Sequence, residues 1–328
     1  MNRGSSVKVS VMGCGRWGSF IAWYLNKIGK EVLLWGRDSS EKIVKLKSDR
    51  QNDFLCIDEK VIITSDEEKA INFSDVIIIS ISAQSLRSFL NKLKGTFKKN
   101  LENKIFVLCM KGIEEKTGKR LSVVLKECLG ENSKVAVWVG PGHVQDFLKG
   151  IPNCMVIDSE DDNVKNFLVK EFSSKLIRFY YGKDMIGSEI GAASKNVMGI
   201  AAGILDAIGY TSLKGALMSR GTREISRLIK ALGGSELSAY GLAHLGDYEA
   251  TLFSPHSNNR KFGESLALSG KYQKLAEGVA TSHALQILSE ETGVELPICR
   301  AVHETIIGEM SPRECISKLF LRSLKSEF

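Results

Sequence analysis

The chain is poor in proline. Only five occur in 328 residues, at Pro141, Pro152, Pro255, Pro297 and Pro312. They are scattered, so a proline-rich tether between domains is excluded, and no low-complexity tract or internal repeat appears. No apolar run approaches the ~20 residues of a membrane-spanning helix. The first six residues, Met-Asn-Arg-Gly-Ser-Ser, carry no apolar core of a secretory signal. The seven cysteines are odd in number and form no C-x-x-C pair. That pattern predicts reduced, buried thiols in a cytoplasmic protein rather than a disulfide framework. The five histidines show no HExxH or related spacing, so no metal site is expected. The net charge of +7 comes from lysines and arginines spread over the whole chain. It describes either a solvated surface or a basic cleft for phosphorylated ligands. A basic stripe with interleaved aromatics is missing, so nucleic acid is not an expected partner.

What is present is ordinary for a soluble domain pair: 43% apolar and 25% charged residues. A length of 328 residues suggests two domains. The apolar run from Val7 to Met12 leads into Gly13-x-Gly15-x-x-Gly18, and a helical pattern follows. Each glycine has a physical job in a dinucleotide site. Gly13 permits the tight turn, Gly15 lets backbone approach a pyrophosphate, and Gly18 lets helix pack on strand. The free N–H groups and positive dipole end of the helix then face the phosphates. The competing reading is a glycine-rich turn in an unrelated α/β protein.

Strand-like runs fall at 7–12, 31–35, 61–64, 75–82, 104–110, 134–139, 154–157 and 177–181, separated by helical segments. They are Val/Ile-rich and continuously apolar, as in strands buried on both faces. The alternation predicts a parallel, doubly wound sheet. After about residue 186 strand signals stop. Helical runs at 187–208, 215–231, 264–269 and 274–291 take over. The expected fold class is therefore α/β: a Rossmann-like dinucleotide-binding domain over 1–185, then an all-α substrate and catalytic domain over 186–328.

Several residues are candidates for chemistry. The second strand ends in Arg37, which can meet a 2′-phosphate or stack on adenine, while the adjacent Asp38 keeps NAD open. Lys195, followed by Asn196, lies in a small-residue apolar helix. Burial there would lower its pKa and suit it to exchange a hydroxyl proton; the alternative is a lysine that snorkels outward. Lys111-Gly112 closes the fifth strand, where ligands gather, or is a solvated strand end. Gly140-Pro141-Gly142-His143 presents backbone N–H groups to an anion or forms an ordinary turn. Asp247 orients a lysine or caps a helix. Asn258, Asn259 and Arg260, with Lys261, compose a phosphate cradle or a polar loop.

In order and spacing these pieces resemble the NAD(P)-dependent glycerol-3-phosphate dehydrogenases. The match runs from GxGxWG (Gly13 to Gly18, with Trp17) through Trp35/Arg37, Lys111/Gly112 and Gly140/Pro141. It continues with Glu189 to Gly203, Gly246/Asp247, Asn259 to Gly263, and Glu277/Gly278. The resemblance implies hydride transfer between a nicotinamide and C2 of a three-carbon phosphate, interconverting dihydroxyacetone phosphate and glycerol 3-phosphate, a phospholipid precursor. It implies Lys195, Lys111, Asp247 and Asn196 as catalytic residues. Gly13, Gly15, Arg16, Trp17, Gly18, Arg37, Lys111, Val144 and Glu277 would bind NADPH or NADH, with NADPH ahead. Lys111, Gly140, Gly142, Lys195, Asp247, Asn258, Asn259 and Arg260 would bind substrate. A cytoplasmic homodimer is the implied assembly. Three positions depart from the family pattern: Gly142 replaces a hydroxyl residue, Asn258 an arginine, and His244 a glycine. Either His143, His244 or His256 compensates, or the substrate is another small hydroxy acid, phosphate ester or phosphonate. A non-catalytic dinucleotide sensor is the remaining alternative, disfavoured by the retained Lys111, Lys195, Asn196 and Asp247.

Overall fold

The computed structural model describes residues 6–270, 272–324 and 326–327; the first five residues of the N-terminal stretch lie outside the described residues. The chain separates into two compact units. One comprises residues up to Met110 with Leu121–Met185, and the other comprises Lys111–Arg120 with the residues from Ile186 onward.

The first unit alternates strand and helix. In chain order it runs β1 (Lys8–Met12), α1 (Arg16–Lys27), β2 (Glu31–Trp35), α2 (Glu41–Asp49), β3 (Ile62–Thr64), α3 (Glu67–Phe73), β4 (Val76–Ile79), α4 (Leu86–Phe97) and β5 (Ile105–Leu108). After the excursion to Arg120 it continues with α5 (Leu121–Leu129), β6 (Lys134–Val139), α6 (Val144–Leu148), β7 (Asn153–Asp158), α7 (Asp162–Phe172) and β8 (Ile177–Tyr181). The strands form one sheet in the order β3-β2-β1-β4-β5-β6-β7-β8. Val9, Val11, Leu33, Leu34, Ile77 and Ile78 are fully buried, which is why these strands read as unbroken apolar runs.

The chain reverses direction of winding at β1, which is flanked by β2 and β4. Carboxyl ends of strands diverge at such a switch point and open a ligand crevice. Gly13 sits there at φ +123°, and a Cβ on it would meet the Ser80 carbonyl oxygen at 2.1 Å, so no other residue fits this turn.

The sheet is not parallel throughout: β7 runs antiparallel to β6. The connection over 140–152 holds only the five-residue α6, too little chain to cross back over the sheet. The longer α7 then makes a parallel crossover from β7 to β8. All seven cysteines are free thiols, but Cys56 is exposed and Cys154 half-buried, so the expectation of buried thiols fails at those two.

The second unit is helical: α8 (Met185–Ala207), α9 (Lys214–Ala231), α10 (Asn258–Ala267), α11 (Glu277–Thr292), α12 (Pro297–Ile306) and α13 (Pro312–Phe320). Between α9 and α10 lie a 3₁₀ turn, Leu245–Asp247, and one π-helical turn, Glu249–Phe253. Helix α8 is buried at every position from 187 to 205, and it supplies Ile190, Val197, Met198, Ile200 and Ile204 to the core. A helix apolar on all sides must be wrapped by others. Segment 111–120 is pinned to it by a half-buried ion pair, Arg120 to Glu189 at 2.7 Å, and by Ile113, which is fully buried in the same core. Among the described residues, no helix is long and apolar enough to cross a membrane.

Candidate active site

The helical unit gathers the two predicted lysines around one predicted carboxylate. Asp247 ends the 3₁₀ turn and is 1% exposed. Its Oδ2 accepts a hydrogen bond from Lys111 Nζ at 2.6 Å and lies 2.9 Å from Lys195 Nζ. Lys195 is 7% exposed and donates to Thr251 Oγ1 at 2.7 Å. It does not snorkel outward. The Thr251 hydroxyl in turn donates to the Asp247 carbonyl, also at 2.7 Å. Burial pushes the Lys195 ammonium down to about 8; Asp247 opposes that shift and the neighbouring Lys111 adds to it. An amine there changes protonation state near neutrality, as proton exchange with an alcohol or ketone requires. Asp247 Oδ1 is buried and has no hydrogen-bond partner among the described residues. An acceptor left open beside two ammonium groups suits a hydroxyl donor brought by a ligand.

A chain of amides frames this cluster. Asn196 Nδ2 donates to the Lys111 carbonyl at 2.8 Å. Asn259 Nδ2 donates to Asn196 Oδ1 at 2.9 Å, and Asn259 Oδ1 accepts from Gly278 N–H at 2.9 Å. Four separate segments are thereby locked together. Gly278 is required where α11 crosses α8, because a Cβ would approach the Asn196 carbonyl oxygen to 2.8 Å. Glu277 precedes it at the first position of α11.

Other predicted residues are placed elsewhere. Arg260 donates from Nε to Asp206 at 2.7 Å and pairs with Glu264 at 2.7 Å, so its guanidinium is already matched by two carboxylates. Asn258 is exposed, and its Oδ1 accepts from the Tyr272 hydroxyl at 3.0 Å. His244 is fully buried, with both ring nitrogens engaged, and offers nothing to an anion. Thr251 carries no site signal of its own in the sequence beyond its position four residues after Asp247.

In the sheet unit, Gly15 precedes α1, and a Cβ on it would meet open space. Helix α1 has no side-chain cap and no acidic residue in its first turn. An uncapped N-terminus after a glycine turn fits a pyrophosphate. A Cβ on Gly18 would strike the Gly13 carbonyl oxygen at 1.9 Å, so helix and turn pack as the motif demands. Arg16 hydrogen-bonds Gln145 and lies 4.8 Å from the Phe54 ring centre. The Trp17 indole packs against Phe20 and Phe147, and Val144 is buried in the same core. Gly140 and Gly142 have φ of +126° and +137°, and a Cβ on Gly142 would meet the Phe147 ring at 2.4 Å. This loop therefore excludes a serine or threonine at 142. Arg37 is exposed just past β2, while Asp38 is held by Lys47 at 3.1 Å.

Comparison with known proteins follows the same division. The family model described as NAD-dependent glycerol-3-phosphate dehydrogenase N-terminus matches residues 8–165, and the corresponding C-terminus model matches 184–317. A Clostridium botulinum protein named glycerol-3-phosphate dehydrogenase [NAD(P)+] is 35% identical, covering 98% of this chain and 99% of its own. A Fusobacterium nucleatum protein of the same name is 34% identical, covering 98% of each. The crystal structure of glycerol-3-phosphate dehydrogenase from Coxiella burnetii has the same fold, with a TM-score of 0.87 at 24% identity over 97% of this chain and 99% of that one.

Proposed function

This chain belongs to the NAD-dependent glycerol-3-phosphate dehydrogenase family, and we propose that it interconverts glycerol 3-phosphate and dihydroxyacetone phosphate, with Lys195 exchanging the proton at the C2 oxygen. The observation that carries this reading is the buried trio: Lys195 and Lys111 share one oxygen of Asp247 while the other oxygen stays open. A nicotinamide dinucleotide, when bound, supplies or accepts the hydride. In the reductive direction the Lys195 ammonium donates its proton as negative charge builds on the carbonyl oxygen. Lys111 adds a second positive charge near that oxygen, and preset charge of this kind stabilises a transition state without reorganisation. Asp247 Oδ1 would accept from a substrate hydroxyl and so fix which substrate oxygen faces Lys195. Thr251 and Asn196 hold the two lysines in register. Asn259 keeps Asn196 aligned. Arg260, matched by Asp206 and Glu264, supports α10 and is not assigned to the substrate phosphate.

Gly13, Gly15, Gly18 and the first turn of α1, with Arg16, would hold the dinucleotide phosphates. Arg37, exposed just past β2, is the group proposed for a 2′-phosphate, and Asp38 beside it, in a surface ion pair with Lys47, keeps NADH open, so the coenzyme is NADPH or NADH with NADPH ahead. A homodimer is supported by the apolar side chains of Phe320, Leu321 and Leu324, which are 70%, 85% and 101% exposed. Its expected setting is the cytoplasm, supplying phospholipid synthesis.

The deciding assay follows the absorbance of NADPH and NADH with dihydroxyacetone phosphate and a panel of other small ketones. Dihydroxyacetone phosphate is expected to be turned over fastest. Turnover of another ketone alone would overturn the substrate assignment, and coenzyme binding without any oxidation would overturn the enzyme assignment.

A further inference from the structure

The buried pair His244–Tyr248 lies beside the lysine cluster, and none of the chemistry above uses it. His244 is 0% exposed, as is Tyr248, and their rings meet edge-on with centres 4.8 Å apart. His244 Nδ1 lies 2.8 Å from the Gly191 carbonyl oxygen. A carbonyl can only accept, so Nδ1 carries the proton, and Nε2 accepts from the Tyr248 hydroxyl at 2.7 Å. Burial keeps a second proton off the ring, so the imidazole is neutral and Nε2 is the acceptor of the pair.

The positions of these bonds matter. Gly191 is one helical turn before Lys195, and its carbonyl is the one that the Lys195 N–H addresses in the α-helix. The main-chain carbonyl of His244 accepts from the Asp247 N–H at 3.0 Å. One residue therefore holds the turn that aims Lys195 through its side chain and the loop that aims Asp247 through its backbone. Gly191 permits the approach: a Cβ there would already stand 3.0 Å from His244 Cβ. Tyr248 extends the brace, since its carbonyl accepts from Thr251 N–H at 3.0 Å and Leu252 N–H at 2.7 Å. Thr251 is the hydroxyl that touches Lys195.

We propose that His244 is a positioning residue of the dehydrogenase: as a neutral wedge it fixes the distance between Lys195 and its counter-charge Asp247, and thereby sets the pH at which Lys195 gives up its proton. The proposal rests on the reading of Lys195 as the acid–base group. The titratable groups that act on the His244 ring are Lys195 and Asp247; those that act on Tyr248 are the Glu224 carboxyl and the Cys299 thiol, which burial keeps protonated. Burial, with Lys195 adding to it, holds the imidazole down at about 4, so it carries no proton in the working range and acts through geometry. When the wedge is lost, Asp247 retreats from Lys195 and the ammonium loses its main stabilising partner.

The test compares His244→Leu, which fills the space without hydrogen bonds, with His244→Asn, whose amide N–H can still reach Gly191. Full-length proteins carry ¹³Cε-lysine, and the Lys195 resonance, assigned by its loss in Lys195→Met, is titrated directly. In His244→Leu the Lys195 titration is expected to fall by about one unit, a tenfold change in proton affinity. The basic limb of ketone reduction should fall with it, coenzyme KM should hold within about twofold, and His244→Asn should recover most of the shift. Tyr248→Phe keeps the packing and should move the titration the same way by less, which preserves the test if His244→Leu does not fold. An unmoved Lys195 resonance in both His244→Leu and Tyr248→Phe would overturn the proposal, even if their melting temperatures drop. The resonance is read without turnover, so failure of the wild-type protein to reduce any ketone would count against the dehydrogenase reading separately.

Discussion

Replacing Asp247 by Asn tests the electrostatic core of the site most directly. The carboxylate lies 2.9 Å from Lys195 Nζ and 2.6 Å from Lys111 Nζ, at 1% exposure. With an effective dielectric of about 20, two unit charges 2.9 Å apart attract by about 6 kcal/mol. That equals about four units of pKa at 1.36 kcal/mol each. An amide oxygen keeps a hydrogen bond to the lysine, and the cluster relaxes, so about half the effect should survive. Lys195, held by burial at about 8 in the native protein, should then titrate near 6. Reduction needs the ammonium, so its rate falls as pH rises through the Lys195 pKa; oxidation needs the amine and rises through the same value. In Asp247→Asn both limbs should move down together by about two units. At neutral pH the loss of protonated Lys195 removes about tenfold of the reductive rate, and loss of the substrate hydroxyl's acceptor should bring the total to about 10²-fold or more. The assay is kcat and kcat/KM against pH in both directions, with coenzyme affinity measured separately. Limbs that stay near their native position would show that Asp247 does not set the charge on Lys195, and the electrostatic account of the site would be wrong.

Lys195→Met should lower turnover by about 10²-fold or more while coenzyme affinity stays within about twofold, as checked by steady-state kinetics and nucleotide titration. Arg37→Asp should weaken NADPH by about tenfold relative to NADH, the scale of one charge-assisted hydrogen bond; equal losses would remove Arg37 from the 2′-phosphate. The folded-state pKa of His244 lies near 4, below its ordinary 6.5. The stability it lends is full above 6.5 and is lost as pH falls toward 4, about 3 kcal/mol in all. Thermal melting of the native protein against His244→Leu across that window should show the difference shrinking as acid is added.

Much of the fold was legible because buried parallel strands are apolar on both faces. The runs at 31–35, 134–139 and 177–181 coincide with β2, β6 and β8. The direction of β7 was not legible, because an apolar strand reads the same either way and only the short 140–152 connection betrays the reversal. The helical run at 264–269 covers only the end of α10, which begins at Asn258, where the Ser257 hydroxyl accepts from Arg260 N–H. Its first turn is polar, and polarity disguised the helix as a loop. Lys195 stood out because a lysine among glycines and alanines is costly unless it is used. Its partners are legible one by one, Lys111 at a strand end and Asp247 as an orienter or a cap, but not as a cluster. Asp247 and Lys111 are 136 residues apart, and Asn196 and Asn259 are 63 apart, so no local pattern joins them. His244 could be read only as a possible anion ligand, since its real partners are a main-chain carbonyl and a tyrosine in a 3₁₀-to-π segment where α-helical spacing does not apply.

The small residues of α8 let a buried lysine sit on a helix packed closely on its neighbours. Gly199 faces Thr251, Gly203 faces the Arg260 carbonyl, and Gly278 of α11 faces Asn196. The approaches at Gly199 and Gly278 pack Thr251 and Asn196, the neighbours of Lys195, tightly against the helix. Burial lowers the lysine's proton affinity, and it also strengthens every charge interaction left inside. The two effects oppose each other at Lys195: burial alone would discharge it, and Asp247 alone would lock the proton on. A wide helix face would give the first and a wet loop the second. The observed arrangement, a glycine-lined helix against a loop braced by His244, holds both at once, and the placement of that amine near neutral titration is the balance between them.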